Sequence, residues 1–237
     1  TSMGNDVSGE NNDFTVGGGD VTQTLDTPSD NFATANPVMV STSNVVLTNG
    51  ALTVTSNYAS GWQNSGTTFA VRAGKWYWEA KATVVSASDK TSIGVVQFNT
   101  DGVNFVGNAN KDLATYGLSG HGAGIGGYSY IQGDIIMCAM DLDNNKVYWG
   151  KNGTWYGTLD PSAGTGSTTQ TIDNNNDCMP VVGGYGGSSW DLNFGNGYFG
   201  TTEIVSPEND SAGLGKFAYA VPAGYYALNT KNLAEFG

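Results

Sequence analysis

Charge, and positive charge above all, is scarce in this sequence. Of its 237 residues, 9 are lysine or arginine and 21 are aspartate or glutamate, which gives a formal net charge of -12. A chain with this balance repels the phosphates of nucleic acids and the surfaces of anionic membranes. We therefore expect no nucleic-acid partner.

Long apolar runs and cysteines are also few. No stretch of about 18 consecutive apolar residues occurs, so we expect no membrane span, and no secretory signal is visible. The two cysteines, Cys138 and Cys178, lie next to apolar residues and suit buried thiols. The sequence leaves open whether they pair.

Glycine is abundant, and short strand-like segments separate its clusters. The chain contains 35 glycines, and turn signals recur about every 8 to 12 residues. This spacing predicts an all-β fold, a single antiparallel β-sandwich without long helices. In residues 1–36 the apolar residues recur with no clear period, so this segment is predicted to form an irregular N-terminal arm. The sandwich domain is predicted in residues 37–237.

Several segments have the pattern of individual strands. The run GDIIMCAMDLD is apolar on both faces and predicts a central strand that is covered on both sides. Asn49-Gly50 lies between two apolar runs and predicts a hairpin. A last pair of strands is expected in KFAYAVPAGYYAL. The segment GKWYWEAKATVV predicts a half-buried strand whose core face carries Trp76, Trp78, Ala80, Ala82 and Val84.

Four motifs, in order from about Tyr58 to Tyr226, resemble those of a SPRY domain. They are SGW with GKWYWEAKA, SIGVV, GDIIMCAMDLDNNKVYWGKNGTW and MPVVGGYGGSSWDLNFG. The resemblance implies a bent antiparallel β-sandwich, a SPRY or concanavalin-like jelly roll. It also implies a domain that binds proteins or peptides through loops at one end and that is not an enzyme.

The segments on either side of these motifs resemble parts of bacteriophage proteins. They look like the borders of SPRY-like domains in large tail or virion proteins of tailed, often marine, phages. The resemblance implies a piece of a longer virion protein on a tail fibre or capsid surface. Its partners would be neighbouring virion proteins or a host-surface receptor, glycan or protein, and a homo-oligomer is plausible. The segments are GNDVSGENNDFTV, DTPSDNFATANP and VPAGYYALNTKNL.

Asp141, Asp143 and Asn145 alternate along the chain and fit three kinds of site. Their spacing copies the first three ligands of an EF-hand calcium loop, but Lys146 and Asn152 stand where that loop needs glycine and glutamate. The two carboxylates could instead form a glycosidase pair, although no third acidic residue extends it. A hairpin turn explains the same residues without any further ligand or catalytic group, because asparagine and aspartate tolerate left-handed backbone conformations. We therefore predict a turn, keep calcium as a weak candidate and expect no cofactor.

Aromatic residues beside glycine-rich turns are the remaining candidates for a site. They offer a large contact area at a small cost in side-chain entropy. The single histidine has no partner histidines for zinc, and its glycine-rich surroundings predict a surface loop. The predicted ligand-binding residues are Phe105, His121, Tyr128, Tyr130, Trp155, Tyr156 and Tyr185.

These observations predict a non-catalytic binding or structural module of a virion. Its loops would recognise a host-surface glycan or protein, or dock to neighbouring virion subunits. Two alternatives stay open, a carbohydrate-binding or carbohydrate-active lectin-like sandwich and a cellular SPRY adaptor that binds a short peptide.

Overall fold

Strands dominate the structure, a computed structural model that describes residues 6, 8–14, 25–41, 43–59, 61–85, 91–97, 130–166 and 176–237. None of these residues form a helix with the length and apolar character needed to cross a bilayer. The elements in chain order are β1 (Ala35–Val40), β2 (Val45–Thr48), β3 (Thr53–Ser56), β4 (Gln63–Thr67), β5 (Lys75–Val84), β6 (Thr91–Gln97), β7 (Ile135–Asp141), β8 (Lys146–Lys151), β9 (Thr154–Trp155), β10 (Cys178–Gly184), β11 (Ser188–Asn193), β12 (Tyr198–Phe199), β13 (Thr202–Glu203), β14 (Tyr226–Ala227) and helix α1 (Thr230–Phe236).

The strands form two sheets that share one apolar core, and their pairing is antiparallel except where β14 lies beside β5. The four-stranded sheet has the order β1-β4-β10-β6, and the eight-stranded sheet has the order β2-β3-β11-β5-β7-β8-β9, with β14 beside β5. Strands β12 and β13 form a small separate pair. Residues of both main sheets belong to the same buried cluster. The predicted all-β antiparallel sandwich is therefore confirmed.

Tryptophans fill much of the space between the sheets. Trp76, Trp78, Trp149 and Trp190 are each at most 1% exposed. Aromatic rings of this size supply a large share of the apolar area that stabilises a core. The four-stranded sheet contributes Ile93, Val95 and Val182 to the same cluster.

Strand β5 is covered on both faces rather than on one. Trp76 and Trp78 face the core between the sheets as predicted, but Tyr77 and Glu79 are also fully buried. Phe217 of the C-terminal segment packs edge-on against Tyr77, with ring centroids 4.9 Å apart. The prediction of a half-buried strand is wrong, because a later part of the chain covers the second face.

A bulge interrupts the alternation near the end of β5. Val84 pairs with Ser189, but the next residue of β11, Trp190, pairs with Ala82, so β5 carries one extra residue at this point. An extra residue reverses which face the following side chain takes. Val84 is accordingly 41% exposed and not on the core face where simple alternation placed it.

Three local predictions about strands and turns are confirmed. Strand β7 lies between β5 and β8 and contributes to the buried clusters on both of its faces. Residues 142–145 form the turn between β7 and β8, with a positive φ of 58° at Asn145. Asn49 and Gly50, with φ of 53° and 66°, connect β2 to β3 in an antiparallel hairpin.

The expected last pair of strands, in residues 216–228, does not form. Within this segment β14 pairs in parallel with β5, and Phe217 forms a single bridge with Glu208. A turn in which the Tyr225 N–H donates to the Pro222 carbonyl separates the two parts. The segment therefore lies over the eight-stranded sheet instead of folding back on itself.

The N-terminal residues just before β1 already contact the sandwich. Phe32 is 5% exposed, and the Ala33 N–H donates to the Leu228 carbonyl at 2.9 Å. Strand β1 begins at Ala35. The boundary between arm and domain at residue 36 stays a prediction.

The two cysteines are buried thiols and form no disulfide. Cys138 belongs to β7 and Cys178 to β10, in different sheets. Burial raises the pKa of the Cys138 thiol well above its usual range, which disfavours its reactive thiolate.

Candidate recognition surface

Three short connections between the two sheets meet at one end of the sandwich. Residues 41–44 join β1 to β2, residues 57–62 join β3 to β4, and residues 185–187 join β10 to β11. The antiparallel registers of β1 with β4, of β2 with β3, and of β10 with β4 place all three at the same end. Loops at the end of a rigid sandwich are common places for binding residues.

Backbone hydrogen bonds hold two of these loops together. The Gly186 N–H donates to the Tyr58 carbonyl at 2.9 Å, and the Gly187 N–H donates to the Ser56 carbonyl at 2.7 Å. The two glycines have φ of 64° and 88°, which explains the glycine pair after Tyr185. The loops are therefore fixed relative to each other before any ligand binds.

Three aromatic side chains lie on these loops. The rings of Trp62 and Tyr185 are tilted by 51° with centroids 6.2 Å apart, and both side chains are half-buried. Tyr58 is 47% exposed. Its ring lies against Gly61, where an added Cβ would come within 3.3 Å of it. Tyr58, Trp62 and Tyr185 are termed the aromatic end below.

Of the predicted ligand-binding residues, Tyr185 lies at this end, whereas Tyr130 lies in the core. Tyr130 is fully buried and packs against Trp190 with ring centroids 5.2 Å apart. Its hydroxyl donates to Thr91 Oγ1 at 2.8 Å, and burial raises the pKa of Tyr130 well above the usual range. The predicted surface position of Tyr130 is thus not observed. Phe105, His121 and Tyr128 lie outside the described residues.

Trp155 lies far from Tyr185 along the sheet, and Tyr156 packs into the core. Trp155 packs edge-on against Tyr77 at 6.4 Å, and Tyr156 packs against the main core cluster. Strand β9, which contains Trp155, is four strands away from β11 in the sheet order, or about 19 Å at the usual strand spacing. The structure therefore does not bring these two residues into the aromatic end.

Tyr58 and Trp62 belong to this surface but were not among the predicted site residues. Both lie in SNYASGWQ, where serine, asparagine and glycine surround two aromatics between strand patterns. The same criterion selected Tyr185. Applied to this segment, it would have found the other two.

The carboxylates of the β7–β8 turn are bound to other groups of the protein. Asp141 is 1% exposed and accepts from Lys75 Nζ at 3.0 Å and from Asn144 Nδ2 at 2.9 Å. Asp143 Oδ1 accepts from the Gly74 N–H at 2.8 Å. These contacts fix the turn against the start of β5, which is a structural role. Among the described residues, no three histidine, cysteine, aspartate or glutamate side chains are grouped to hold a metal ion.

Glu79 is a second polar centre, buried under the C-terminal segment. It is fully buried and accepts from the Tyr77 hydroxyl at 2.9 Å and Asn193 Nδ2 at 3.2 Å. The backbone N–H groups of Ala218 and Tyr219 donate to it at 2.9 Å and 3.0 Å. Burial raises the pKa of Glu79 to about 7, and these hydrogen bonds oppose part of the rise. The carboxylate attaches the C-terminal segment to β5.

No protein-family model and no curated protein matches the chain. Among solved structures, it is similar to the SPRY domain of human HERC1, with a TM-score of 0.48 and 16% identity over 67% of this chain and 96% of that domain. The PSpry domain of TRIM65 has a TM-score of 0.47 and 13% identity, over 68% of this chain and 92% of that one. A human SPRY domain has a TM-score of 0.44 and 13% identity, over 63% of this chain and 94% of that domain. The likeness says nothing of what this chain binds.

Proposed function

We propose that the chain is a non-catalytic recognition module whose binding surface is the aromatic end. The observation that carries this proposal is the meeting of Tyr58, Trp62 and Tyr185 on two loops that are hydrogen-bonded to each other. Aromatic rings held in place offer a large contact area with little entropy left to lose on binding. Such surfaces are typical of sites that bind a ligand without catalysing a reaction.

A catalytic role has less support at the positions where the sequence suggested one. Asp141 forms an ion pair with Lys75, and Asp143 accepts from the Gly74 N–H. A retaining glycosidase needs one carboxylate as nucleophile and one as acid, both directed at the substrate. Side chains that are already bound to the protein do not supply that pair.

The biological setting that we propose is the surface of a phage virion. Its support is the resemblance of the flanking segments to phage tail and virion proteins. Mass spectrometry of purified virions of a phage that encodes this chain would test the setting, and gold-labelled antibody in electron microscopy would locate the chain. Its absence from virions would contradict the setting without affecting the proposed binding surface.

The binding role can be tested with one pair of variants. The folded wild-type chain and the Trp62→Ala/Tyr185→Ala double variant would be screened against a glycan array and a displayed peptide library. The control is Phe14→Ala, which removes an aromatic side chain that is 80% exposed outside these loops. We expect a ligand that the wild type and Phe14→Ala bind and the double variant does not. Equal binding by all three proteins, or by none, would contradict the proposal.

A further inference from the structure

We infer that the ligand of the aromatic end is an uncharged carbohydrate. This inference rests on the proposed function and adds the chemical class of the ligand. Three features of the end support it: the absence of charged residues from its three connections, the arrangement of the rings, and the use of the backbone N–H groups.

The first feature is the lack of charged side chains in the three connections. Residues 41–44, 57–62 and 185–187 contain no lysine, arginine, aspartate or glutamate. Charged ligands are usually held by opposite charges, often through bidentate contacts. An acidic sugar, or a peptide selected by its charge, would therefore lack a matching group in the three connections.

The second feature is the pair of rings. Trp62 and Tyr185 are tilted by 51°, so their faces do not cover each other fully. The apolar C–H face of a sugar ring can lie on an aromatic face, while its hydroxyl groups need hydrogen-bond donors and acceptors nearby. The exposed side chains of Ser43 and Asn57 on the adjacent connections are groups of that kind.

The third feature argues against a peptide that binds as an added strand. Such a peptide needs main-chain donors and acceptors that the protein leaves open. Here the N–H groups of Tyr58, Gly186 and Gly187 are bound to Gln63 Oε1, the Tyr58 carbonyl and the Ser56 carbonyl. The Tyr185 N–H is bound to Ser188 Oγ at 2.9 Å. Recognition at this end therefore depends on side chains, which suits a sugar better than an extended backbone.

The test measures binding to neutral and acidic glycans with variants that keep or remove the rings. Wild type, Trp62→Ala, Trp62→Phe, Tyr185→Ala and the Phe14→Ala control would be titrated with array-selected oligosaccharides, and thermal melting would confirm that each is folded. We expect binding to neutral glycans that weakens at least about tenfold in both alanine variants and is partly kept in Trp62→Phe. The dissociation constant should change less than about twofold between low and high salt, because no charges are paired.

The outcomes separate this inference from the proposed function. Binding to acidic glycans only, or binding that salt abolishes, would overturn the uncharged ligand. A peptide ligand that depends on Trp62 and Tyr185, without any glycan binding, would also overturn it and would leave the recognition role intact. Binding that none of the ring variants affects would contradict both.

Discussion

At Glu79, burial and hydrogen bonding shift the pKa of the carboxyl in opposite directions. Burial raises the pKa of its carboxyl from 4.5 to about 7, so between these pH values the folded chain holds a proton that the unfolded chain has lost. Stability therefore decreases as the pH rises through this window. The difference corresponds to roughly 3 kcal/mol of the free energy of unfolding.

Replacing Glu79 with glutamine should remove this pH dependence. The amide does not titrate, and it has one acceptor oxygen for the four donors around it, so we expect a loss of about 1–3 kcal/mol near pH 5. Urea denaturation at about pH 5 and about pH 8 would measure both effects. The matched control is Glu208→Gln at an exposed position, which should keep the wild-type decrease. An unchanged decrease in Glu79→Gln would show that other groups cause it.

Calcium should have no effect on stability, because the candidate ligands are already in use. Asp141 is paired with Lys75, and Asp143 accepts from the Gly74 N–H. A cation that bound only the folded chain would raise the melting temperature. We expect thermal melts with excess calcium and with a chelator to agree within about 1 °C. A rise of several degrees that Asp143→Asn abolishes would establish a calcium site.

At the scale of elements, the C-terminal segment completes the sandwich. Phe217 is fully buried and packs against Tyr77, and Ala227 pairs with Tyr77 in the sheet. Phe217→Ala should cost about 3–5 kcal/mol, because it leaves a cavity on the second face of β5. The cost can be measured by urea denaturation.

Two controls separate the loss of packing from a general effect of substitution. Phe217→Leu keeps most of the volume and should cost clearly less than the alanine variant. Phe14→Ala removes a side chain that is 80% exposed and should change the free energy of unfolding by less than about 0.5 kcal/mol. If Phe217→Ala were as stable as Phe14→Ala, the C-terminal segment would not be part of the cooperative fold.

Elements with a local signature could be predicted from the sequence, and contacts between distant segments could not. Asn49-Gly50 predicts its hairpin because both residues accept a positive φ. The apolar runs of β5 and β7 likewise predict strands. Glu79, however, lies on the face that the half-buried pattern of β5 leaves uncovered. The alternation of polar and apolar residues does not reveal the backbone donors, 139 and 140 residues later in the chain, that bind this carboxylate.

At the scale of the whole molecule, topology assembles the aromatic end. Trp62 and Tyr185 are brought together because β3, β4, β10 and β11 connect the two sheets at the same end. The glycine-rich turn beside Tyr185 predicts a ligand-binding residue there. The same criterion also predicts Trp155, which lies four strands away from β11 in the sheet order. Sequence patterns indicate which aromatics lie near turns, whereas the order of strands decides which of those turns meet.

The same two-sheet arrangement predicts how the cysteines react. Cys138 and Cys178 lie in different sheets and are at most 1% exposed, so the folded chain should protect both thiols from an aromatic disulfide reagent. We expect two thiols per chain to react in denaturant and far slower reaction without it, with no change in melting temperature on adding a reductant. A mass about 2 Da lower under non-reducing conditions, together with a melting temperature that falls on reduction, would instead show a disulfide. Such a bond would join β7 of one sheet to β10 of the other and would contradict the two free thiols of the structure.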